Sequence, residues 1–184
     1  MAVLIDMRPV VLITGISASG KSTVAEALAS RFDRGVHVRG DAFRRMIVAG
    51  RQDMTAPPSP EAVEQLTLRY GLGAATADTY HAAGFAVVVQ DIVLGDALAS
   101  YASAIVSRPL VVVVLAPSAA VVRRREAGRT KSAYREGHDT IEALDRALRT
   151  ETPRIGLWLD TSAQTPEQTV DEIIRRGRDE GLVA

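Results

Sequence analysis

The sequence predicts an α/β fold with a mostly parallel sheet, and two observations indicate this class. Short apolar runs rich in β-branched residues alternate along the chain with longer amphipathic segments. Two of the runs, 85–90 and 109–115, are nearly unbroken valine, which is typical of strands buried on both faces of a parallel sheet. Strands separated by helices in this rhythm indicate βαβ units.

The predicted elements follow from this alternation. Each β-branched run is short enough for one strand, so we predict strands at residues 9–14, 36–38, 85–90, 109–115 and 155–160. The amphipathic segments between and after them predict helices at residues 21–32, 41–49, 60–83, 96–106, 118–127, 140–150 and 166–180.

Local signals mark two helix starts and two irregular segments. Ser59 is placed to cap the helix at 60–83, with Pro60 at its first position. Thr165 and Gln168 form a capping-box pattern at the start of the last helix. Paired prolines predict a loop at 50–59, and the helical pattern is interrupted again after residue 127.

Composition excludes several classes of protein. The 184 residues carry 22 Lys+Arg and 22 Asp+Glu, and zero net charge argues against coating nucleic acid or an anionic membrane. The absence of cysteine excludes a disulfide scaffold, a cysteine zinc site and thiol catalysis. No apolar run approaches the roughly 18 residues of a membrane span, and the start lacks a signal-peptide pattern. We expect one cytoplasmic domain over residues 1–184, with no membrane partner.

The strongest motif runs from Gly15 to Ser22 and reads G-I-S-A-S-G-K-S. It matches G-x-x-x-x-G-K-[ST], with a predicted strand before it and a predicted helix after it. Its glycines let successive backbone N–H groups turn toward phosphate oxygens, and the helix directs its positive dipole end to the same point. Lys21 is expected to reach the β- and γ-phosphates, and Ser22 to bind Mg²⁺. The predicted nucleoside triphosphate site comprises Gly15, Ser17, Ala18, Ser19, Gly20, Lys21, Ser22 and Thr23.

A first candidate carboxylate follows the second predicted strand. Asp41 lies where the carboxyl ends of parallel strands form the ligand-binding edge of an open sheet. Arg44, three residues later, shares its helical face. The carboxylate could accept the proton of an attacking hydroxyl while the guanidinium steadies substrate or phosphate. Alternatively, Asp41 only caps a helix and Arg44 is a surface charge.

A second candidate carboxylate, Asp91, follows the valine run of the third predicted strand. An acid in this position resembles a Walker B carboxylate, which holds Mg²⁺ through water. It could equally line an acceptor pocket opposite Asp41, or only cap a turn. After the last strand, 159–162 could approach the nucleotide base or simply end the strand and begin the next helix.

A basic cluster follows the fourth predicted strand, in a chain whose net charge is zero. Arg125 and Arg129 are four residues apart and would share a helical face. Such a cluster could close over the triphosphate as a lid and neutralise charge during transfer. The alternative is a solvated basic helix. The cluster comprises Arg123, Arg124, Arg125, Arg129, Lys131 and Arg135.

Together, these residues resemble small P-loop kinases of the nucleoside-monophosphate-kinase-like superfamily, most closely chloramphenicol phosphotransferase-like proteins and AAA-type ATP-binding kinases. The resemblance covers residues 10–176. It implies a three-layer α/β/α P-loop NTPase fold, a five-stranded sheet in the order 2-3-1-4-5, and an Arg-rich lid at about 118–139. It also implies that ATP and Mg²⁺ are bound, with Asp41 as the base, Arg44 beside it, and Arg125 and Arg129 in the lid. Gln90 departs from the pattern by replacing an acid that can precede the one at Asp91.

The expected activity is transfer of the γ-phosphoryl group of ATP to a hydroxyl of a small molecule such as an antibiotic, sugar, nucleoside or metabolite. The acceptor pocket is expected between the Asp41 helix, the loop at 50–59 and the following helix, with Phe43, Tyr70 and Tyr80 as residues that either line it or belong to the core. One alternative is a polynucleotide 5′-hydroxyl kinase, against which neutral charge and few aromatic residues argue. Another is a regulatory ATP-binding domain. A GTPase switch is excluded because the chain has no Asn-Lys-x-Asp motif. Oligomeric state stays open.

Overall fold

A computed structural model describes residues 4–128 and 140–183 and has a central sheet of the predicted order. The strands are β1 (Val10–Thr14), β2 (Gly35–Arg39), β3 (Ala86–Gln90), β4 (Leu110–Leu115), β5 (Leu157–Leu159) and β6 (Leu182–Val183). The strands β2, β3, β1, β4 and β5 are neighbours in that order, and all of them are parallel. The sixth strand, β6, is too short to predict from sequence and runs antiparallel beside β4.

Helices cover both faces of this sheet, and most begin and end near their predicted positions. The helices are α1 (Lys21–Ala29), α2 (Gly40–Met46), α3 (Pro60–Ala82), α4 (Ala97–Ala104), α5 (Ala119–Ala127), α6 (Ile141–Arg146) and α7 (Pro166–Glu180). A 3₁₀ turn at Leu4–Met7 precedes β1, and a π-helical turn at Ala147–Glu151 follows α6. The helix of greatest length, α3, does not qualify as a membrane span, nor does any other described helix.

Two predicted helices end three residues earlier than expected, and a third changes its geometry before its predicted end, each for a local reason. In α1, the chain tightens after Ala29, where the Phe32 amide bonds the carbonyl three residues back. In α2, Ile47 takes an extended conformation that ends the helix. The predicted helix at 140–150 widens into the π-turn, where the Thr152 hydroxyl donates to the Ala147 carbonyl and accepts from the Gly95 amide.

The core lies on both faces of the sheet, which explains the valine runs. Alternate residues of β1, β3 and β4 pack against α3 and α4 on one face and against α1 and α7 on the other. Val10, Val87 and Leu110 are aligned across three strands and point to the first face. Each central strand therefore buries the side chains on both of its faces, which is why its sequence does not alternate between apolar and polar residues.

The parallel arrangement places the carboxyl ends of five strands along one edge of the sheet. The segments that follow β1, β2, β3 and β5 carry the predicted phosphate loop, Asp41, Asp91 and Asp160 respectively. In open parallel sheets this edge is where ligands bind.

Candidate active site

The segment between β1 and α1 forms a curled loop around a cradle of backbone amides. Gly15 and Gly20 have φ of 148° and 100°, and Ala18 has φ of 61°, a conformation uncommon for a residue with a Cβ. A Cβ at Gly15 would lie 2.5 Å from the Leu115 carbonyl oxygen and 2.8 Å from Ser19 Oγ. Glycine is therefore required here both by conformation and by the close approach of β4.

The start of α1 leaves its first amides directed at this cradle. Gly20 is the N-cap, in the left-handed conformation, and no side chain of the described residues caps the helix. The hydroxyl of Ser19 is buried and has no hydrogen-bond partner among the described residues. An anion would supply acceptors for these donors, and the helix dipole favours negative charge at the same point. The cradle therefore fits the phosphates of a nucleotide.

The predicted phosphate-binding side chains lie around the same loop. Lys21 is buried, and its Nζ donates to the Ile16 carbonyl at 2.7 Å, so the ammonium lies across the loop. Ser22 is half-buried in the first turn of α1, and Thr23 beside it is exposed. In phosphoryl-transfer sites, Mg²⁺ is held by one or two protein oxygens together with substrate phosphates and water. The Ser22 hydroxyl fits such a set of ligands.

Asp91 is buried and faces α3. Arg69 Nε donates to Asp91 Oδ2 at 2.7 Å, and Arg69 Nη2 donates to Oδ1. The Ile92 amide also donates to Oδ1 at 2.7 Å. Burial lowers the pKa of Arg69, but its hydrogen bonds to Asp91 and the charge of that carboxylate raise it more, and the net pKa is raised. This geometry favours the acceptor-side interpretation of Asp91 over the metal-binding one.

Arg69 is a residue that the sequence reasoning missed. It lies in the middle of α3, 22 residues before its partner, and no motif or helical spacing connects the two. The only local signal is that it is a single cation in a stretch otherwise rich in small and apolar residues. The pairing becomes visible only once α3 packs beside β3.

Asp41 lies in the first turn of α2 and is not the helix cap. The N-cap is Arg39, and α2 has no side-chain cap bond within the described chain. Its carboxylate lies 3.2 Å from Arg45 Nη2 and 3.7 Å from Arg39 Nε. Oδ1 is inaccessible to solvent and accepts no hydrogen bond from the described residues. Gly40, the residue before Asp41, packs so closely on Asp91 that a Cβ there would overlap the Asp91 carboxylate. The start of α2 therefore lies beside the Arg69–Asp91 pair, and the charge of Asp41 is among those that raise the pKa of Arg69.

Arg44 is on the same face of α2 as Asp41 and connects the helix to the following loop. It donates to the carboxylate of Asp53 and, at 3.5 Å, to the Gln52 carbonyl. Burial lowers the pKa of Arg44, and the nearby cations Arg51 and Arg69 lower it further. The guanidinium is thus paired with Asp53 while two further cations lie close enough to affect its pKa.

A groove lies where the acceptor pocket is predicted, between α2, the 47–59 loop and α3. Phe43 lines it, but Tyr70 stacks on Tyr101 with ring centroids 5.0 Å apart, and Tyr80 packs edge-on against Phe85. The groove is small, with a volume of about 50 Å³. It is lined by Phe43, Arg44, Ile47, Gln52, Met54, Ala62, Gln65, Leu66, Leu68, Arg69 and Leu72. We refer to it as the acceptor groove.

On the other side of the phosphate loop, Arg125 joins three segments. Its Nη1 donates to the Ser19 carbonyl at 3.0 Å, and its Nη2 donates to the Thr161 carbonyl at 3.1 Å. In this structure the guanidinium thus holds the phosphate loop against the segment after β5. Arg129, Lys131 and Arg135, and with them the predicted lid from residue 129 onward, lie outside the described residues.

A cleft of about 460 Å³ opens beside Arg125, between α5 and the segment that follows β5. Its volume lies in the range that is typical of small-ligand sites. Asp160, at the end of β5, accepts from the Ser162 amide and hydroxyl, and these bonds lower the pKa of Asp160. The 159–162 segment thus ends a strand and also adjoins the cleft. The lining residues are Val121, Arg124, Arg125, Ser162, Ala163, Gln164 and Thr165.

Comparison with known proteins agrees with this geometry. The family model described as an AAA domain, AAA_33, matches residues 10–155, which include the phosphate loop, Asp41, the acceptor groove and Asp91. No curated protein sequence matches the chain.

Three solved structures share its fold over nearly the whole length. A sugar kinase from Janibacter sp. HTCC2649 is 21% identical, with a TM-score of 0.63 over 90% of this chain and 91% of that one. A gluconokinase from Sinorhizobium meliloti 1021 is 21% identical, with a TM-score of 0.58 over 91% and 90%. The tunicamycin resistance protein of Deinococcus radiodurans is 17% identical, with a TM-score of 0.61 over 96% and 98%.

Proposed function

The chain belongs to the AAA_33 family of AAA domains, and from that premise we propose that it is an ATP-dependent kinase that phosphorylates a hydroxyl group of a small molecule. One observation carries the proposal. The phosphate cradle, the Asp41 carboxylate and a concave groove lie along one edge of a parallel sheet. The kinases among the solved structures of the same fold support this reaction class.

The nucleotide is proposed to span the phosphate loop and the cleft beside α5. Its base and ribose would occupy the cleft of about 460 Å³, between Arg124 and Gln164. Its phosphates would lie against the amides at the start of α1, with Lys21 at the β- and γ-phosphates. Arg125 bonds the phosphate loop to the segment after β5, so it keeps these two halves of the nucleotide site in register.

Asp41 is proposed as the general base for the acceptor hydroxyl. The acceptor oxygen forms a bond to the γ-phosphorus while the bond from that phosphorus to the β–γ bridging oxygen breaks, giving a phosphomonoester and ADP. Asp41 takes the hydroxyl proton and then releases it to water. Such a base typically contributes about 10²- to 10⁴-fold to the rate.

Cationic side chains would stabilise the transferring group and position the acceptor. The ammonium of Lys21 lies across the phosphate loop, and Arg44 lies on the same face of α2 as Asp41. Arg129 is proposed to approach the phosphates from the lid. Ser22 would hold Mg²⁺ together with the phosphates, and the metal would neutralise part of the phosphate charge. Asp91 is proposed to serve the acceptor side through Arg69 rather than the metal.

The proposal is tested by measuring ADP release from Mg-ATP in the presence of pooled hydroxylated acceptors. The pools are phenicol antibiotics, aminoglycosides, sugars, nucleosides and a 5′-hydroxyl oligonucleotide. We expect one small-molecule pool to stimulate ADP release in the wild type but not in Asp41→Asn. Stimulation by the oligonucleotide alone, weakening steeply with salt, would instead indicate a polynucleotide kinase. ATP binding with no stimulation by any pool would indicate a regulatory domain.

A further inference from the structure

The surface around the acceptor groove is unusually apolar for this protein. Of the nine large apolar side chains that are exposed in the described residues, six lie between residues 46 and 72. Val48 is 96% exposed and Leu68 is 56% exposed. Single exposed apolar residues are ordinary, but three of the six, Met54, Leu68 and Leu72, line the acceptor groove, and apolar side chains grouped at a concave site mark a binding surface. The six are Met46, Val48, Met54, Val63, Leu68 and Leu72.

The interior of the groove continues this apolar surface. Six of its eleven lining residues are large apolar side chains contributed by all three of its walls. Leu68 and Leu72 are one helical turn apart and share a face of α3. The six are Phe43, Ile47, Met54, Leu66, Leu68 and Leu72.

Three of the four polar side chains of the groove hold its walls together. Arg44 bonds the carboxylate of Asp53, and Arg69 bonds that of Asp91. Gln65 Nε2 donates to the Gly50 carbonyl at 2.9 Å, and its Oε1 accepts from the Gln52 amide at 2.9 Å. A polyol placed here would lose water from several hydroxyls and find few polar groups to replace it, which is unfavourable.

The groove leads toward the proposed general base. Phe43 and Arg44 are on α2 two and three residues beyond Asp41, and Arg69 in the opposite wall bonds Asp91, on which the first residue of α2 packs. An acceptor that places a hydroxyl at Asp41 therefore extends the rest of its body along α3. Because the groove is small, that body would lie on the exposed side chains of Leu68 and Leu72.

From this arrangement we infer that the acceptor is an amphipathic alcohol, with its hydroxyl on an aryl or alkyl body, and not a sugar, polyol or sugar acid. The inference rests on the proposed function and specifies its substrate class. Burial of the apolar body against Leu68 and Leu72 would supply the binding energy, while the hydroxyl end stays in the polar region around Asp41.

The test separates binding from catalysis. Binding of 3-phenylpropan-1-ol, 1-octanol, sorbitol and gluconate is measured by ligand-observed NMR in the presence of a non-hydrolysable ATP analogue, and phosphoryl transfer to each is measured with ATP. The variant is Leu68→Gln/Leu72→Gln. The matched control is Val63→Gln, because Val63 is on the same helix and 45% exposed, close to the 42% of Leu72, but does not line the groove.

We expect the two apolar alcohols to bind and to be phosphorylated. The double variant should weaken their binding on the order of tenfold, since two leucine contacts are lost, whereas Val63→Gln should leave it unchanged. Transfer to sorbitol or gluconate but to neither apolar alcohol would overturn the inference and leave the proposed kinase activity intact. Equal binding by the double variant and the control would also overturn it.

Two further outcomes would assign the groove a different role. Groove-dependent binding of the alcohols with no transfer to any acceptor class would refute the proposed function, and the acceptor role of the groove with it. Light scattering on the same variants checks whether the apolar surface is instead an interface between two copies of this chain. A dimer that Leu68→Gln/Leu72→Gln converts to a monomer would overturn the inference.

Discussion

Replacing Arg69 by methionine removes the guanidinium that balances the buried carboxylate of Asp91 and keeps much of the side-chain volume. The Asp91 side chain is 2% exposed and that of Arg69 is 14% exposed. In Arg69→Met the carboxylate retains the Ile92 amide as its only hydrogen-bond donor in the described structure. The variant thus leaves a buried charge without its counter-ion.

The expected cost can be worked from this geometry. Breaking a buried ion pair by removing one partner costs about 3–5 kcal/mol. Because the guanidinium is partly exposed, we place Arg69→Met near the lower end, about 3 kcal/mol. For a chain of this length, each kcal/mol lowers Tm by about 2–4 °C, so Tm should fall by about 6–12 °C.

The assay is urea unfolding followed by far-UV circular dichroism, with thermal unfolding as a second measurement. The matched control is Arg31→Met. Arg31 pairs with Asp171 at 2.9 Å, but their side chains are 44% and 65% exposed, so that the loss should be below about 1 kcal/mol. Arg69→Met/Asp91→Asn should recover much of the lost stability because no uncompensated charge remains. If Arg69→Met costs no more than Arg31→Met, the Arg69–Asp91 pair does not hold α3 to β3 as argued.

Three other perturbations have defined outcomes. Gly73→Ala places a Cβ against a buried tyrosine hydroxyl and should lower the free energy of unfolding by about 1–3 kcal/mol. The control Gly71→Ala, in open space on the same helix, should raise the free energy of unfolding by up to about 1 kcal/mol. Urea midpoints that shift in the same direction in both variants would contradict this. Arg125→Ala removes two hydrogen bonds to backbone carbonyls and should weaken ATP binding, measured by calorimetry, on the order of tenfold. The control Arg123→Ala removes an exposed ion pair with Glu142 and should leave ATP binding unchanged. Burial and the charge of a neighbouring arginine lower the pKa of His37 below 6.5, so the folded state binds a proton less readily than the unfolded state and stability should fall as the pH drops from about 6.5 toward the lowered pKa. In His37→Gln the urea midpoint should depend less on pH between about pH 7 and 5, and the same pH dependence as in the wild type would refute the assignment.

The parts of the fold that the sequence predicts are those set by local pattern. The valine runs of β3 and β4 follow from burial on both sheet faces, and the phosphate loop follows from glycines and a lysine at fixed spacing. The capping box at Thr165 and Gln168 predicts the start of α7, and the structure contains both of its hydrogen bonds.

The parts that the sequence does not predict depend on distant contacts. Arg69 and Asp91 are brought together only by packing of α3 beside β3, so their pairing has no signature in either segment. Likewise, Arg125 is recognisable as one of several clustered arginines, but its bonds to two carbonyls depend on where β5 ends. The position of the acceptor groove between α2, the loop and α3 agrees with the sequence prediction, but its apolar lining does not follow from any one segment, because all three contribute to it.

The proposed kinase activity is tested most directly by following the γ-phosphoryl group itself. With [γ-³²P]ATP and the stimulating acceptor, the wild type, Asp41→Asn and the control Asp33→Asn, an exposed acid in the turn before β2, are compared. We predict that label enters a phosphomonoester in the wild type and the control. In Asp41→Asn, ATP binding should persist while transfer falls by about 10²-fold or more. Label found only in inorganic phosphate would contradict the proposed kinase activity, and transfer by Asp41→Asn at the wild-type rate would contradict the role of Asp41 as the base.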